Sequence, residues 1–319
     1  MSEIPAVKEW GEHKGPIAAS ENGFDVIDCE QCGFRHIVPL PATEDLKETY
    51  EHDYYSQEKP LYIDRHREDL EWWDMVYGER YDILEKALPA HQRRMLDIGS
   101  GPGFFLLNGH RRGWQVKGIE PSRQACEHSR NVLNLDVDND FFSDSTATGL
   151  GRFDAVHMSE VLEHIPDPAM LLTLVHGLLN EGGMLCINVP NDFNPFQKAL
   201  SAHLGFKPWW VAPPHHVNYF DFESLQKLVE RCGFEVVHKE ATFPIDMFLL
   251  MGDNYVGNDP VGRDCHKKRK AFEHALAVAG LTTLKRDLYT ALAGLGLGRE
   301  ITLFARKRDG AGNMLRGAE

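Results

Sequence analysis

A short apolar run carrying one acid, Met95-Leu96-Asp97-Ile98, leads straight into three alternating glycines, Gly99, Gly101 and Gly103. A run of this length followed by such a loop reads as a strand turning into a helix. The pattern on either side fits. "RYDILEKAL" has helical spacing, "FFLLNGHRRG" reads as a helix closed by Gly113, "WQVKGIEPS" as a strand and "SRQACEHSRNVL" as a helix. "FDAVHMSEV" is a further strand. In "PDPAMLLTLVHGLLNEGG", Leu171, Leu174, Val175, Leu178 and Leu179 share one face. Asp167 serves as N-cap with Pro168 at the first helical position, and Gly182-Gly183 is expected to stop that helix. "MLCINVP", "FEVVHKEA" and "EITLFARK" read as strands and "SLQKLVERCG" as a helix. Strands alternating with helices imply an α/β fold, a mostly parallel sheet covered on both faces.

Glycine loops of this kind serve nicotinamide cofactors, flavins, ATP and S-adenosylmethionine, and the neighbouring residues separate them. A dinucleotide loop wants a third glycine at the position held by Phe104, and no Gly-Lys-Ser/Thr ending marks a P-loop. Asp97 lies two residues before the first glycine, where a carboxylate would repel a pyrophosphate but suits an ammonium group. Glu120 ends the second strand, 17 residues beyond Gly103, placed to accept hydrogen bonds from ribose hydroxyls. S-adenosylmethionine needs this combination. The competing reading is a tight strand-to-helix turn in an unrelated α/β protein.

At this point the chain resembles the class I S-adenosylmethionine-dependent methyltransferases, above all bacterial small-molecule enzymes acting on sugars and quinones. The matching pieces are "LDIGSGPG", "GIEPS", "FDAVHMSEVLEHIPDP" and "LLNEGGMLCINVPN", in the family's order, between residue 90 and about 307. The resemblance implies a Rossmann-like seven-stranded, mostly parallel sheet with an antiparallel last strand, supplied by "GREITLFARK". It further implies that Asp97, Gly99, Gly101 and Gly103 line the methionine part and that Glu120 holds the ribose. Ser100 and Pro121 are counted with them, and Ser159 and Glu160 fall beside the methyl group. The adenine contact is expected near Asn139–Asp140.

Segments leaving the carboxyl ends of the strands are the candidates for substrate contact. "SEVLEHIPDP" carries Glu160, Glu163 and His164. Residues 190–220 are long and rich in aromatics, Pro and His, as lids and binding elements are. They include Trp209, Trp210, His215, His216, Asn218, Tyr219 and Phe220. Histidine is suited to take a proton from a hydroxyl or amine near neutral pH, which makes His216, His215 and His164 the candidate bases. Their competing roles are structural, a tie for the loop in the first two and a fixed part of the "LEH" turn in the third. Aromatics there suit a sulfonium through cation–π attraction. The Phe- and Met-rich stretch 243–257 reads as a packing helix, with Asp246 and Asn254 as secondary pocket candidates.

Residues 1–75 read as a separate extension, 76–308 as the methyltransferase domain and 309–319 as a loose tail. The extension holds one C-x-x-C knuckle, Cys29 and Cys32. Zinc normally takes four ligands, usually from two such knuckles. Some sugar and natural-product methyltransferases are similar here but carry two cysteine pairs; in this chain "WGEHKG" stands where the first would fall. His13 and His36 can complete a site, yet the expectation from sequence is no bound metal. The extension is read as a substrate-side or dimer-side module with the aromatics of "EHDYYSQ" facing the active-site mouth, so a homodimer stays open.

The net charge of −14 leaves no basic excess for a nucleic-acid backbone, and "KKRK" at 267–270 sits in a helical pattern as a solvated face. No stretch approaches the roughly 20 apolar residues that span a bilayer. The N-terminus lacks a signal-peptide core and the cysteines are scattered, so the expected location is the cytoplasm. The function that follows is methyl transfer from S-adenosylmethionine to an oxygen or nitrogen of a small polar metabolite, such as a nucleotide sugar or glycan precursor. The alternatives are C-methylation of a sugar or quinone, a nicotinamide oxidoreductase, and a non-catalytic partner protein of the same fold.

Overall fold

The computed structural model describes residues 6–41 and 62–308. The stretch 51–57 and the tail 309–319, both given roles above, lie outside the described residues.

Four strands come first, β1 (Val7–Trp10), β2 (His13–Glu21), β3 (Phe24–Asp28) and β4 (Arg35–Val38). After α1 (Tyr62–Glu68) and α2 (Leu70–Ala87) the alternation begins: β5 (Arg94–Ile98), α3 (Phe104–Arg111), β6 (Gln115–Ile119), α4 (Arg123–Asn131), β7 (Val137–Asp138) and α5 (Asp144–Ala147). It continues through β8 (Phe153–Ser159), α6 (Pro168–Leu178), β9 (Leu179–Pro190), α7 (Pro195–His203), β10 (Asn218–Tyr219), α8 (Phe222–Arg231) and β11 (Phe234–Ala241). Three helices, α9 (Asp246–Leu250), α10 (Asp259–Val278) and α11 (Thr282–Gly294), precede the last strand, β12 (Glu300–Lys307).

Seven strands form one sheet in the order β11-β12-β9-β8-β5-β6-β7, mostly parallel, the fold that the resemblance implied. The pairs β5–β6, β5–β8 and β6–β7 are parallel. The other sheet, β1-β2-β3-β4-β10, has antiparallel neighbours throughout.

Local signals explain where the helices start. Ser122 accepts from the backbone N–H of Ala125 at the start of α4, and Asp167 accepts from that of Met170 at 2.9 Å with Pro168 opening α6. One expectation fails. Helix α6 ends at Leu178, and Gly182-Gly183 lies inside strand β9 rather than at the helix end. The backbone is already extended at Leu179, four residues before Gly183, and Lys307 Nζ binds the Leu179 carbonyl at 3.0 Å. A tertiary contact therefore ends the helix earlier than the glycines would.

The chain divides into two units. One takes in Met1–Leu40, Asn188–Leu228 and His238–Leu303, the other Pro41–Ile187, Val229–Val237 and Phe304–Glu319. The second unit holds a core in which Leu84 of α2, Met95 of β5 and Leu106 of α3 are fully buried beside Tyr81 and Trp114. Each such side chain contributes about 1.5–3 kcal/mol by leaving water. Their combined effect fixes α2 and α3 on β5, and so fixes the loop between β5 and α3.

Candidate functional site

The loop from Gly99 to Gly103 takes its path because all three glycines have positive φ, 69°, 53° and 86°. Backbone bonds draw it back over the next strand: Gly99 N–H and Ser100 N–H both donate to the Ile119 carbonyl, at 2.8 and 3.2 Å. Strand β6 passes so close that a Cβ on Gly118 would lie 2.7 Å from Ser100 Oγ and 2.9 Å from Val137 Cγ2. Gly118 was not singled out from sequence, since its need shows only when three segments meet.

Glu120 sits where the second strand ends and is 4% exposed. One carboxylate oxygen accepts from Gly101 N–H at 2.7 Å and the other from Ser122 N–H at 2.8 Å. The acid expected to hold a ribose is thus also the clamp that closes the glycine loop. Burial pushes its carboxyl up to about 7, against the pull of those two N–H groups. Asn139 donates to the carbonyls of Glu120 and Pro121 at 2.9 and 2.8 Å. Its amide therefore ties β7 to the end of β6, a positioning role that the sequence reading of an adenine contact did not contain.

Asp97 is buried and its Oδ1 lies 2.7 Å from His157 Nδ1. Arg80 Nη1 lies 3.1 Å from the other ring nitrogen, Nε2. An arginine only donates, so Nε2 accepts and the proton sits on Nδ1, where it is given to Asp97. Burial pushes the His157 pKa below its ordinary value, against the pull of Asp97. The ring also stacks on Phe105 with centroids 3.7 Å apart. Neither His157 nor Arg80 was found from sequence. A histidine inside "FDAVHMS" reads as core, and Arg80 lies on a helix far from every motif.

Helix α4 braces the loop from the other side. His128 Nδ1 meets the Pro102 carbonyl at 2.8 Å and Arg67 meets Nε2 at 2.8 Å, which again puts the proton on Nδ1. Ser129 Oγ donates to the Gly101 carbonyl at 3.2 Å. Ser100 Oγ is buried and has no hydrogen-bond partner among the described residues. At the end of β8, Ser159 is half-buried and Glu160 is exposed with φ of 55°. A non-glycine residue in that region carries strain of about 1–3 kcal/mol, which is common where a strand delivers side chains to a site. His164 follows on a 3₁₀ turn, its Nε2 3.8 Å from Glu163 Oε1.

The structure therefore brings Asp97, Gly99, Ser100, Gly101, Gly103, Glu120, Pro121, Ser159, Glu160 and His164 together in one unit. His215 and His216 belong to the other. There both are half-buried and precede β10, and the His216 N–H donates to the Ala212 carbonyl at 2.9 Å. Part of the segment read as a lid is built into the small sheet: Asn218 pairs with His36 and Tyr219 with Arg35. Trp210 and Tyr219 are buried edge-on against Phe193, so packing is their role here.

The model of a family described as "Methyltransferase domain" matches residues 67–239, more than half of the chain. The chain belongs to the class I S-adenosylmethionine-dependent methyltransferases. Among curated relatives, a ubiquinone biosynthesis O-methyltransferase of Alkalilimnicola ehrlichii is 33% identical over 150 residues, 42% of this chain and 60% of that protein. The protein of the same name from Cereibacter sphaeroides is 29% identical over 164 residues, 49% of this chain and 66% of its own length. The chain thus spans about three fifths to two thirds of the length of these relatives. The solved structure of a SAM dependent methyltransferase from Archaeoglobus fulgidus agrees in fold, with TM-score 0.51 at 19% identity over 80% of this chain and 100% of that one. Among the described residues, no helix is long and apolar enough to cross a membrane.

Proposed function

We propose that this chain transfers a methyl group from S-adenosylmethionine to an oxygen of a small hydroxylated metabolite. The observation that carries the reading is the glycine loop clamped by Glu120 and preceded by Asp97, in a chain of this family. The residues fit the cofactor. The His157 bond uses Asp97 Oδ1, so Oδ2 can accept from the ammonium group of its amino-acid end. Each Glu120 oxygen has a second lone pair for a ribose hydroxyl once Gly101 and Ser122 are served. Ser100 Oγ is a buried hydroxyl in want of a partner.

Bound S-adenosylmethionine supplies an activated methyl group on a sulfonium centre. The chain's own contribution is then to hold the acceptor in line and to receive its proton. His216 is the residue proposed to take that proton, with His215 and His164 as the other candidates. The names of the relatives, ubiquinone biosynthesis O-methyltransferases, support an oxygen acceptor. A quinone precursor, a nucleotide sugar and a glycan precursor are all within this class. Six free cysteines support a reducing location, the cytoplasm.

The test is incubation of the full chain with methyl-labelled S-adenosylmethionine and panels of phenols, nucleotide sugars and amines, followed by identification of the labelled bond. Label in an O–CH₃ group supports the reading. Label found only on carbon or nitrogen overturns the oxygen assignment.

A further inference from the structure

We propose that His13, Cys29, Cys32 and His36 form a zinc site that staples the small antiparallel sheet. The sequence offered one cysteine pair that His13 and His36 could complete, with an expectation of no metal. Folding brings the four together. One ligand atom from each of the four residues lies within 4.8 Å of the others. His13 begins β2, Cys29 follows β3, Cys32 lies in the next turn and His36 is in β4, so three strands converge on one point.

Both distances from His13 to the sulfurs match edges of a tetrahedron around zinc. With bonds of about 2.3 Å to sulfur and about 2.0 Å to nitrogen, the edges of such a site run from roughly 3.3 to 3.8 Å. His13 Nδ1 lies 3.7 Å from Cys29 Sγ and 3.3 Å from Cys32 Sγ. The Cys32 N–H points at Cys29 Sγ, 3.5 Å away, so the knuckle turn holds that sulfur in place.

His36 supplies an independent observation. It is 2% exposed, and its Nδ1 lies 2.9 Å from the Ile37 carbonyl. A carbonyl only accepts, so the proton is on Nδ1 and Nε2 carries a lone pair. That Nε2 is buried with no hydrogen-bond partner among the described residues. An orphaned buried nitrogen is costly, and a metal removes the penalty. Metal-ligating histidines commonly donate their other ring N–H to a carbonyl, as His36 does.

The backbone is shaped to the same end. A Cβ on Gly15 would lie 2.0 Å from the Asp28 carbonyl oxygen, so only glycine lets β2 run this close to the knuckle. Glu30 N–H binds the Lys14 carbonyl at 2.9 Å, and Gly33 takes a φ of 73° to close the turn.

Four protein ligands close the coordination sphere, which makes the site structural rather than catalytic. Its load is local: β4, which carries His36, pairs with β10, and Ile37 N–H binds the Val217 carbonyl at 2.9 Å. The metal thereby steadies the strand that follows His215 and His216.

The test uses the full chain. Protein purified under reducing conditions from zinc-supplemented cells is analysed by elemental mass spectrometry, then stripped with a chelator and titrated with cobalt(II). The expected result is one zinc per chain and, with cobalt, tetrahedral d–d bands plus a thiolate charge-transfer band. Cys32→Ser and His36→Gln should each weaken cobalt binding by more than the roughly 100-fold that an outer-shell change costs. Wild-type protein that carries no stoichiometric zinc and gives no tetrahedral cobalt spectrum overturns the proposal, whether or not the variants fold. Cobalt spectra and affinity unchanged in both variants overturn it equally.

Discussion

Asp97 accepts a 2.7 Å hydrogen bond from Nδ1 of His157, and both side chains are buried. Arg80 on the far ring nitrogen fixes which way that bond runs. The acid nearest the glycine loop is therefore oriented from behind before any ligand arrives. Replacing the ring by His157→Phe leaves Asp97 Oδ1 without its donor and Arg80 without its acceptor. We expect a loss of roughly 3 kcal/mol, seen as a fall of several degrees in thermal midpoint, with weaker binding of S-adenosylhomocysteine. An unchanged midpoint with unchanged affinity would show that the relay does not orient Asp97.

Glu120 gives the protein a pH dependence of a defined sign. Its carboxyl is pushed up by burial from 4.5 to about 7 in the folded chain. Between those values the native state keeps a proton that the unfolded chain releases, so stability falls as pH rises through this window and levels off above it. The difference amounts to roughly 3 kcal/mol. Urea unfolding from pH 5 to 8 checks it by comparison with Glu120→Gln, in which this component of the slope should vanish. Identical pH profiles for the two proteins would contradict the assignment.

For His216 the expectation is a split between chemistry and binding. His216→Ala should lower turnover by roughly 10²–10⁴-fold while S-adenosylhomocysteine affinity stays within about twofold of wild type. Turnover at the wild-type rate removes His216 as the base.

Gly118 tests the close approach of β6 to the loop. In Gly118→Ala the added methyl would meet Ser100 Oγ, Leu106 Cδ1 and Val137 Cγ2 at 2.7, 2.8 and 2.9 Å. Overpacking of this kind costs about 1–3 kcal/mol. Calorimetry should show a lower thermal midpoint and, because Ser100 must move, reduced cofactor affinity. A variant as stable as wild type would mean that the strand and loop can part at no cost.

What the sequence disclosed and what it withheld divide along a physical line. The Asp167 cap acts within three residues, and the glycine loop 99, 101 and 103 is a local demand, so both were legible. Gly182-Gly183 misled because glycine reads as a helix stop until a neighbouring strand claims it. His157 draws its role from partners 60 and 77 positions away, Asp97 and Arg80, and no window along the chain displays them together. Gly118 is needed only because three separate segments crowd around it. His36 could be named from sequence as a partner of the cysteine pair, but its pairing with Asn218 and the gathering of the four ligand atoms show only once three strands align. In each case residue type was visible and neighbourhood was not.

Whether the loop and its two acids hold S-adenosylmethionine is tested most directly by isothermal titration of the full chain with S-adenosylhomocysteine and, separately, NADH. We predict saturable binding of S-adenosylhomocysteine, no heat from NADH, and an affinity at least roughly tenfold weaker in Asp97→Ala, about 1.4 kcal/mol. Binding of NADH with no response to S-adenosylhomocysteine would contradict that assignment.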